Sequence, residues 1–470
     1  MMSFNPELQR NVWLQMSWAR LFVAPILIGI LLAGILSTIK LEPEAIVEAA
    51  RWGFVLLLAL WSTRRVADSL AEEISGGTWE GQRMSGLSAW SMMWGKLIGG
   101  AIFPWYCALI CLAIMVWYGL QSPPSDLRLP LWQQVATLLI GGLLGQATAL
   151  TVALLLLRKA QFRRRLAVTM AQVAGLVASG MAIGWDYSAN PWAAAVGEIR
   201  WYDRGFDPWL FYMVSAGIFT LWALLAVWRL MRLELLYNNR PWAWTLFMAF
   251  AMVYAAGFVR WEIEALTSRF AVAFSIAAAL TYVAFFAEAK DPVRYRWGLA
   301  RFAAFQWYRA LEFMPWWLIS FNFAVVAGAA TIWSIAMGGH LTWQDSWWFT
   351  LQRDLNWFTL GSIAFNIVAL LLFALRDIFF LLWLNFGGTR SRADLTGLVI
   401  LAIVYFPLPM LLVAGHLSQF LPAVTPFSST GPMAAIWPAA EVAAMAVLLF
   451  IRWRQASRID IADDRDEPTI

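Results

Sequence analysis

Apolar runs about 20 residues long recur along the whole chain, separated by shorter polar connections. Roughly 20 helical residues cross the hydrocarbon core of a bilayer. Lipid offers no partners to backbone polar groups, so spans are helices or closed barrels. These runs are continuous rather than alternating, which selects helices. The pattern predicts an all-α polytopic membrane protein with twelve spans, near 19–38, 47–66, 97–118, 132–157, 166–185, 209–228, 241–259, 270–287, 315–337, 355–375, 395–415 and 433–451. No small-residue cleavage pattern follows the first run, so it reads as a span rather than a signal peptide. Arg376 and Asp377 interrupt an apolar stretch that reaches Phe386. A charge at mid-bilayer costs roughly 2.5–3.5 kcal/mol on the insertion scale. The tenth span is therefore expected to end at Leu375, with 377–386 lying along the interface.

Composition agrees with this reading. The 470 residues are 61% hydrophobic and 13% charged, with a mean hydropathy of +0.64, too little charge to coat a soluble domain of this length. Many of the 31 tryptophans stand where runs begin or end, among them Trp18, Trp52, Trp132, Trp209, Trp242, Trp316, Trp347 and Trp437. Indole suits the headgroup level, and interfacial anchoring is the expected role. With the N-terminus inside, most of the 34 Lys and Arg fall on the inner side, including the cluster Arg158, Lys159, Arg163, Arg164 and Arg165. Basic segments resist translocation, so both ends are expected in the cytoplasm. The net charge of +5 comes from this asymmetry and calls for no nucleic acid. The same cluster is suited to anionic lipid.

Candidate chemistry is sparse. Cys107 and Cys111 lie four apart in one apolar run and read as packing residues. His340 and His416 fall in different external loops without a ligand cluster, which argues against a metal site. Asp186, Glu198, Asp203 and Asp207 read as solvating loop acids. Glu441 lies within the first turns of the last span, where an acid is a functional candidate by default. No nucleophile triad, HExxH or phosphate-binding P-loop occurs. The acidic tail from Asp460 to Glu467 reads as a solvated end.

The informative segment is 64–100, RRVADSLAEEISGGTWEGQRMSGLSAWSMMWGKLIGG. Glu72 and Glu73 end a helix leaving the membrane. Gly76 and Gly77 permit a turn with positive φ. Thr78 is suited to cap a new helix, with Glu80 in its first turn. Met84, Leu87, Trp90 and Trp94 recur at helical spacing, which predicts one short amphipathic helix. Gly95 leads into the third span, and Lys96 is placed to snorkel toward headgroups.

At Glu73, Gly77, Thr78, Glu80, Gly95 and Lys96 the segment resembles the permease subunits of ABC-2 type exporters. It departs from them at Trp79, where the family usually has Leu, and at Leu87, Ser88 and Ala89, where a Pro is common. The direct match covers about 35 residues, and the six-span topology extends it loosely over 1–240. The resemblance implies that the helix near 76–94 is a coupling helix that docks a cytosolic ATPase. Glu72, Glu73, Gly76, Gly77, Thr78, Trp79, Glu80 and Arg83 would then form the coupling site.

A weak echo appears at 287–312, AEAKDPVRYRWGLARFAAFQWYRALE, where Trp297, Phe302, Phe305 and Tyr308 form an apolar stripe. Glu288, Arg294, Arg296 and Arg301 mark a second, diverged coupling segment without the Gly-Thr pair. The chain then reads as two six-span halves, 1–240 and 241–470, fused as a pseudo-dimer. External segments 186–208 and 416–432 stand where the family places re-entrant helices. The expectation is a permease, not itself an enzyme, in a bacterial inner membrane. It would bind no cofactor directly, with ATP used by two copies of a separate ATPase; a second permease chain is left open. The alternatives are an ATPase-independent secondary transporter and a membrane assembly scaffold.

Overall fold

The computed structural model describes residues 5–38, 43–121, 129–158, 164–184, 197–237, 239–259, 265–338, 360–387, 393–426 and 431–463. Lys159, Arg163, Asp186, His340, the expected start of the tenth span and the end of the acidic tail lie outside them. Among the described residues, ten helices are long and apolar enough to cross a membrane, eleven if one bent pair counts as a single span. The protein is an all-α, multi-pass integral membrane protein. It divides into two compact units, Met1–Ile199 with Gly205–Asn239, and Arg200–Arg204 with Arg240–Ile470.

The first unit begins with α1 (Pro6–Gln15) and α2 (Trp18–Thr38). Asn5 caps α1 by accepting from the Glu7 and Leu8 amides, and Pro6 occupies the first helical position, where no N–H is needed. The chain bends by 66° between the two helices, so α1 lies across the direction of α2. Helix α3 (Pro43–Ser75) follows, with a π-helical stretch at Leu56–Ser62. A π-turn loosens the i→i−4 ladder. Here the Leu60 carbonyl accepts from Gln172 at 3.1 Å, while Ser62 and Trp105 bond the fully buried Gln146.

A short helix α4 (Thr78–Met84) precedes α5 (Ala89–Gly119). The single amphipathic helix expected over 76–94 is thus two pieces. Gly86 sits at φ +69, a left-handed residue that stops α4, and Ser88 caps α5 by accepting from the Ser91 amide. Helices α6 (Leu131–Leu157), α7 (Arg164–Ile183) and α8 (Pro208–Glu234) complete the unit. Gly145 and Ala149 on α6 meet Gly175 and Ser179 on α7, and Gly141 meets Ala182 and Ile183. A Cβ at Gly145 would stand 2.8 Å from the Gly175 carbonyl oxygen. This is the small-residue packing that substitutes for hydrophobic drive inside a membrane. A two-stranded hairpin, β1 (Ile199–Trp201) and β2 (Arg204–Phe206), precedes α8, and Asp207 caps α8 rather than merely solvating a loop.

The second unit holds α9 (Trp242–Ala256), α10 (Ala265–Ala287), α11 (Pro292–Ala303), α12 (Trp307–Ala310), α13 (Trp316–Ala336), α14 (Leu360–Asn385), α15 (Ala393–Ala414, interrupted at Phe406) and α16 (Met433–Asp463). Helix α9 is apolar but, at 15 residues, spans only about 22 Å, short of a ~30 Å hydrocarbon core. Ala273, Phe274 and Ala277 on α10 pack with Ala324 and Ala327 on α13 and Ile367 on α14. Helix α14 corrects the expected span end at Leu375. It continues without a break through Arg376 and Asp377, both buried, because these charges satisfy each other and three further side chains. Residues 377–385 therefore belong to the same candidate span and not to a separate interfacial segment. The segment 416–432, expected to be external, contains a 3₁₀ turn at Ser418–Ala423.

Candidate functional site

Helix α4 and its surroundings hold the eight sequence-derived coupling residues. Helix α3 ends at Ser75, and Gly77 turns the chain at φ +71, a conformation that disfavours any residue with a Cβ. Gly76 stays at φ −84, so only one of the two glycines is left-handed. Gly77 is itself the N-cap residue of α4. Thr78, expected to cap, is the first helical residue, and its hydroxyl donates back to the Glu73 carbonyl at 3.3 Å.

The two faces of α4 differ. Thr78, Glu80, Gly81 and Met84 are exposed. Trp79 and Gln82 are buried, and the Gln82 side-chain amide has no hydrogen-bond partner among the described residues. The Trp79 indole donates to Glu234 Oε2 at 3.3 Å, at the end of α8, and Glu234 Oε1 pairs with Arg158 at 2.8 Å. Arg83 bonds the Glu234 carbonyl at 2.7 Å and Glu80 at 2.9 Å. Glu72 faces outward toward Arg164, 3.7 Å away, and Arg65, 3.9 Å away.

Glu73 faces inward and bonds both Arg10 and Lys96. Lys96 corrects the snorkelling expectation. It is fully buried, its ammonium lies 2.5 Å from Glu7 Oε1, and it sits 5.8 Å from the centre of the Trp79 ring. An ammonium held by two carboxylates and faced by an aromatic ring needs no headgroup water. Gly95 has a matching reason. A Cβ there would collide with Glu7, so glycine lets α1 close on α5.

Helix α1 was invisible as a site element in the sequence. Its buried positions Glu7, Asn11 and Gln15 are polar and four apart, so they share one face. Asn11 donates to the Gly95 carbonyl at 3.2 Å and Gln15 to the Gly100 carbonyl at 3.2 Å. Trp13 and Leu14 are exposed on the other side. An acid and two amides at i, i+4 and i+8 ahead of an apolar run were the available signal. The network ties α4 to α1, α3, α5 and α8 at once.

The second segment is built differently. Asp291 caps α11 by accepting from the Val293 amide at 3.0 Å. Neither α11 nor α12 buries a residue, and Trp297, Phe302, Phe305 and Tyr308 are all more than half exposed. Glu288 is buried, accepts from the Trp316 amide at 2.9 Å and faces Arg294 at 3.9 Å. Arg301 stacks on Phe313 at 4.3 Å, and Arg296 lies between Arg294 and Arg301 along α11. The Tyr295 hydroxyl is pushed up by burial and then by the Glu288 charge, so it stays a neutral acceptor for the Trp317 indole. Unlike α4, α11 follows an Asp cap rather than a Gly turn and buries no residue.

A further charged group lies within the second unit. Arg376 pairs with Asp377 at 2.8 Å and with Glu441 at 2.6 Å, and Tyr405 and Tyr282 both donate to Asp377. Glu441, read from the sequence as a lone acid, has a partner on another span. Cys107 and Cys111 are both buried free thiols, and no group of three metal-ligating side chains occurs among the described residues. Comparison with family models, with curated proteins and with solved structures finds no match to the chain.

Proposed function

We propose that this chain is the membrane-spanning permease of an ATP-binding cassette exporter, oriented with both ends in the cytoplasm of a bacterial cell. ATP would be hydrolysed by two copies of a separate cytosolic ATPase. The resemblance at Glu73, Gly77, Thr78, Glu80, Gly95 and Lys96 points to this family. One observation supports it most: α4 presents an exposed outer face while its inner face is bonded to three spans through Trp79, Glu73, Lys96 and Glu234. A helix exposed on one side and ion-paired on the other can pass a partner's push into the membrane. The exposed stripe of α11 would be the second, weaker contact, and it also suits the lipid headgroup layer.

The test is a mild-detergent pull-down of the tagged full chain from its native membrane, with mass spectrometry. A P-loop ATPase should appear in stoichiometric amount and be lost from Gly81→Arg and Met84→Asp, which alter only the outer face of α4. A Cβ at Gly81 meets nothing within 4 Å and Met84 is exposed, so neither change displaces a packed neighbour. An intact chain that brings no ATPase would overturn the reading. A second reading, an ATPase-independent transporter, is favoured by the Arg376–Asp377–Glu441 group, because gradient-driven carriers keep paired charges inside their spans.

A further inference from the structure

The ionisable group of the second unit contains one cation and two carboxylates. Arg376 lies about nine residues from the Asn385 end of α14, roughly 13 Å along a helix. Tyr405 on α15 and Glu441 on α16 are likewise more than two turns inside their spans. The group therefore sits in the hydrocarbon region, and its charges do not cancel.

The hydrogen bonds show which acid carries the surplus. All five guanidinium N–H groups of Arg376 have acceptors. Nε and Nη2 donate to Asp377 Oδ1 at 3.0 and 2.8 Å, and Nη2 also reaches Tyr405 Oη at 2.8 Å. Nη1 donates to Glu441 Oε2 at 2.6 Å and to the Ala423 carbonyl at 3.3 Å. Asp377 is fully buried, with Tyr282 and Tyr405 donating to its Oδ2 at 2.8 and 2.6 Å. Each Asp377 oxygen thus accepts two bonds, and a proton placed there would displace a donor. Glu441 accepts one bond, on Oε2, and Oε1 has no partner among the described residues. Its side chain is 28% exposed.

Among the described residues, no other charge joins the group. Arg376 is the titratable group bonded to Glu441, and behind it stand Asp377 on α14, Tyr405 on α15 and Tyr282 on α10, bonded to Arg376 or to Asp377. Asp394 on α15 is occupied by Lys290 at 2.8 Å. Arg452 and Arg454 on α16 lie about three turns further along the same helix, against Trp383 and Phe450.

We infer that Glu441 is an intramembrane proton-binding site. Asp377 is the permanent counter-ion of Arg376, and Glu441 holds an exchangeable proton on Oε1. With the proton bound the group is neutral, as the low dielectric of the span demands. Released, it leaves one negative charge. Glu441 is the one carboxylate of the group that the described protein leaves partly uncovered, so it is the one placed to take up and release a proton. The inference needs only that these helices span a membrane, and it stands with or without an ATPase.

Infrared difference spectroscopy of the full chain in lipid vesicles tests it. The protein should show the carbonyl stretch of a protonated carboxylic acid, shifted in D₂O and lost as pH rises. Glu441→Gln keeps an acceptor for Arg376, preserves the fold and should remove the band, while Glu441→Asp should retain one that titrates differently. A chain with no such band at any pH where it stays folded would overturn the proposal. So would a band that survives Glu441→Gln. A band that appears only when Na⁺ and K⁺ are withdrawn would make a metal cation the occupant, and this too overturns it.

Discussion

Replacing Lys96 with Met keeps the length of the side chain and deletes its charge. Lys96 and Arg10 together face Glu7 and Glu73, two positive charges against two negative ones. Lys96 and Glu7 are almost wholly buried, whereas the Arg10 side chain is 40% exposed. After the change, Glu7 retains only Arg10 at 3.5 Å and Asn11 at 3.2 Å. Removing one partner of a buried ion pair costs about 3–5 kcal/mol, because the other charge stays desolvated. At about 1.4 kcal/mol per tenfold, the opening of α1 from α5 should become roughly two to three and a half orders of magnitude more frequent, up to the unprotected limit. Hydrogen exchange of peptides covering Pro6–Gln15, with the chain in lipid nanodiscs, reads this directly. The double variant Glu7→Gln with Lys96→Met removes both charges and should recover most of the protection, since a neutral pair leaves nothing uncompensated. Unchanged exchange in Lys96→Met would refute the reasoning, as would a double variant that exchanges as fast as the single one.

Three further outcomes are expected. Gly77→Ala should cost about 1–2 kcal/mol through its φ of +71 alone, opening α4 some five- to thirty-fold more often by hydrogen exchange, whereas Gly81→Ala in the same helix should protect it. Asp377→Asn makes Glu441 the sole carboxylate of Arg376, so the protonated-acid infrared band should vanish at neutral pH; its persistence would contradict the charge count. Cys107 and Cys111, at 4% and 2% exposure, should resist a polar maleimide until the chain is denatured, and fast labelling of the folded protein would contradict their burial.

Some of the site was legible because it depends on neighbours in the chain. The positive φ of Gly77 follows from a Gly-Gly pair after a helix, and the exit of α3 at Ser75 from the polar residues there. The break at Gly86 was legible in principle. The spacing of Met84, Leu87, Trp90 and Trp94 hid it, since four apolar residues can keep helical phase across a helix stop and a restart. The polar face of α1 was not legible, because nothing local says that Glu7 and Asn11 meet Gly95.

The same division runs through the whole protein. Continuous apolar runs determined a multi-pass helical architecture, since a bilayer admits no other way to satisfy that backbone. The fate of the charges was decided only by the tertiary structure. Lys96 was expected at headgroups and lies buried with Glu7, distant in sequence. Arg376 and Asp377 were expected to end a span and instead sit inside it, with Glu441 from another helix. The cost of a charge in lipid depends on its partners, and partners come from spans that one-dimensional hydropathy treats separately.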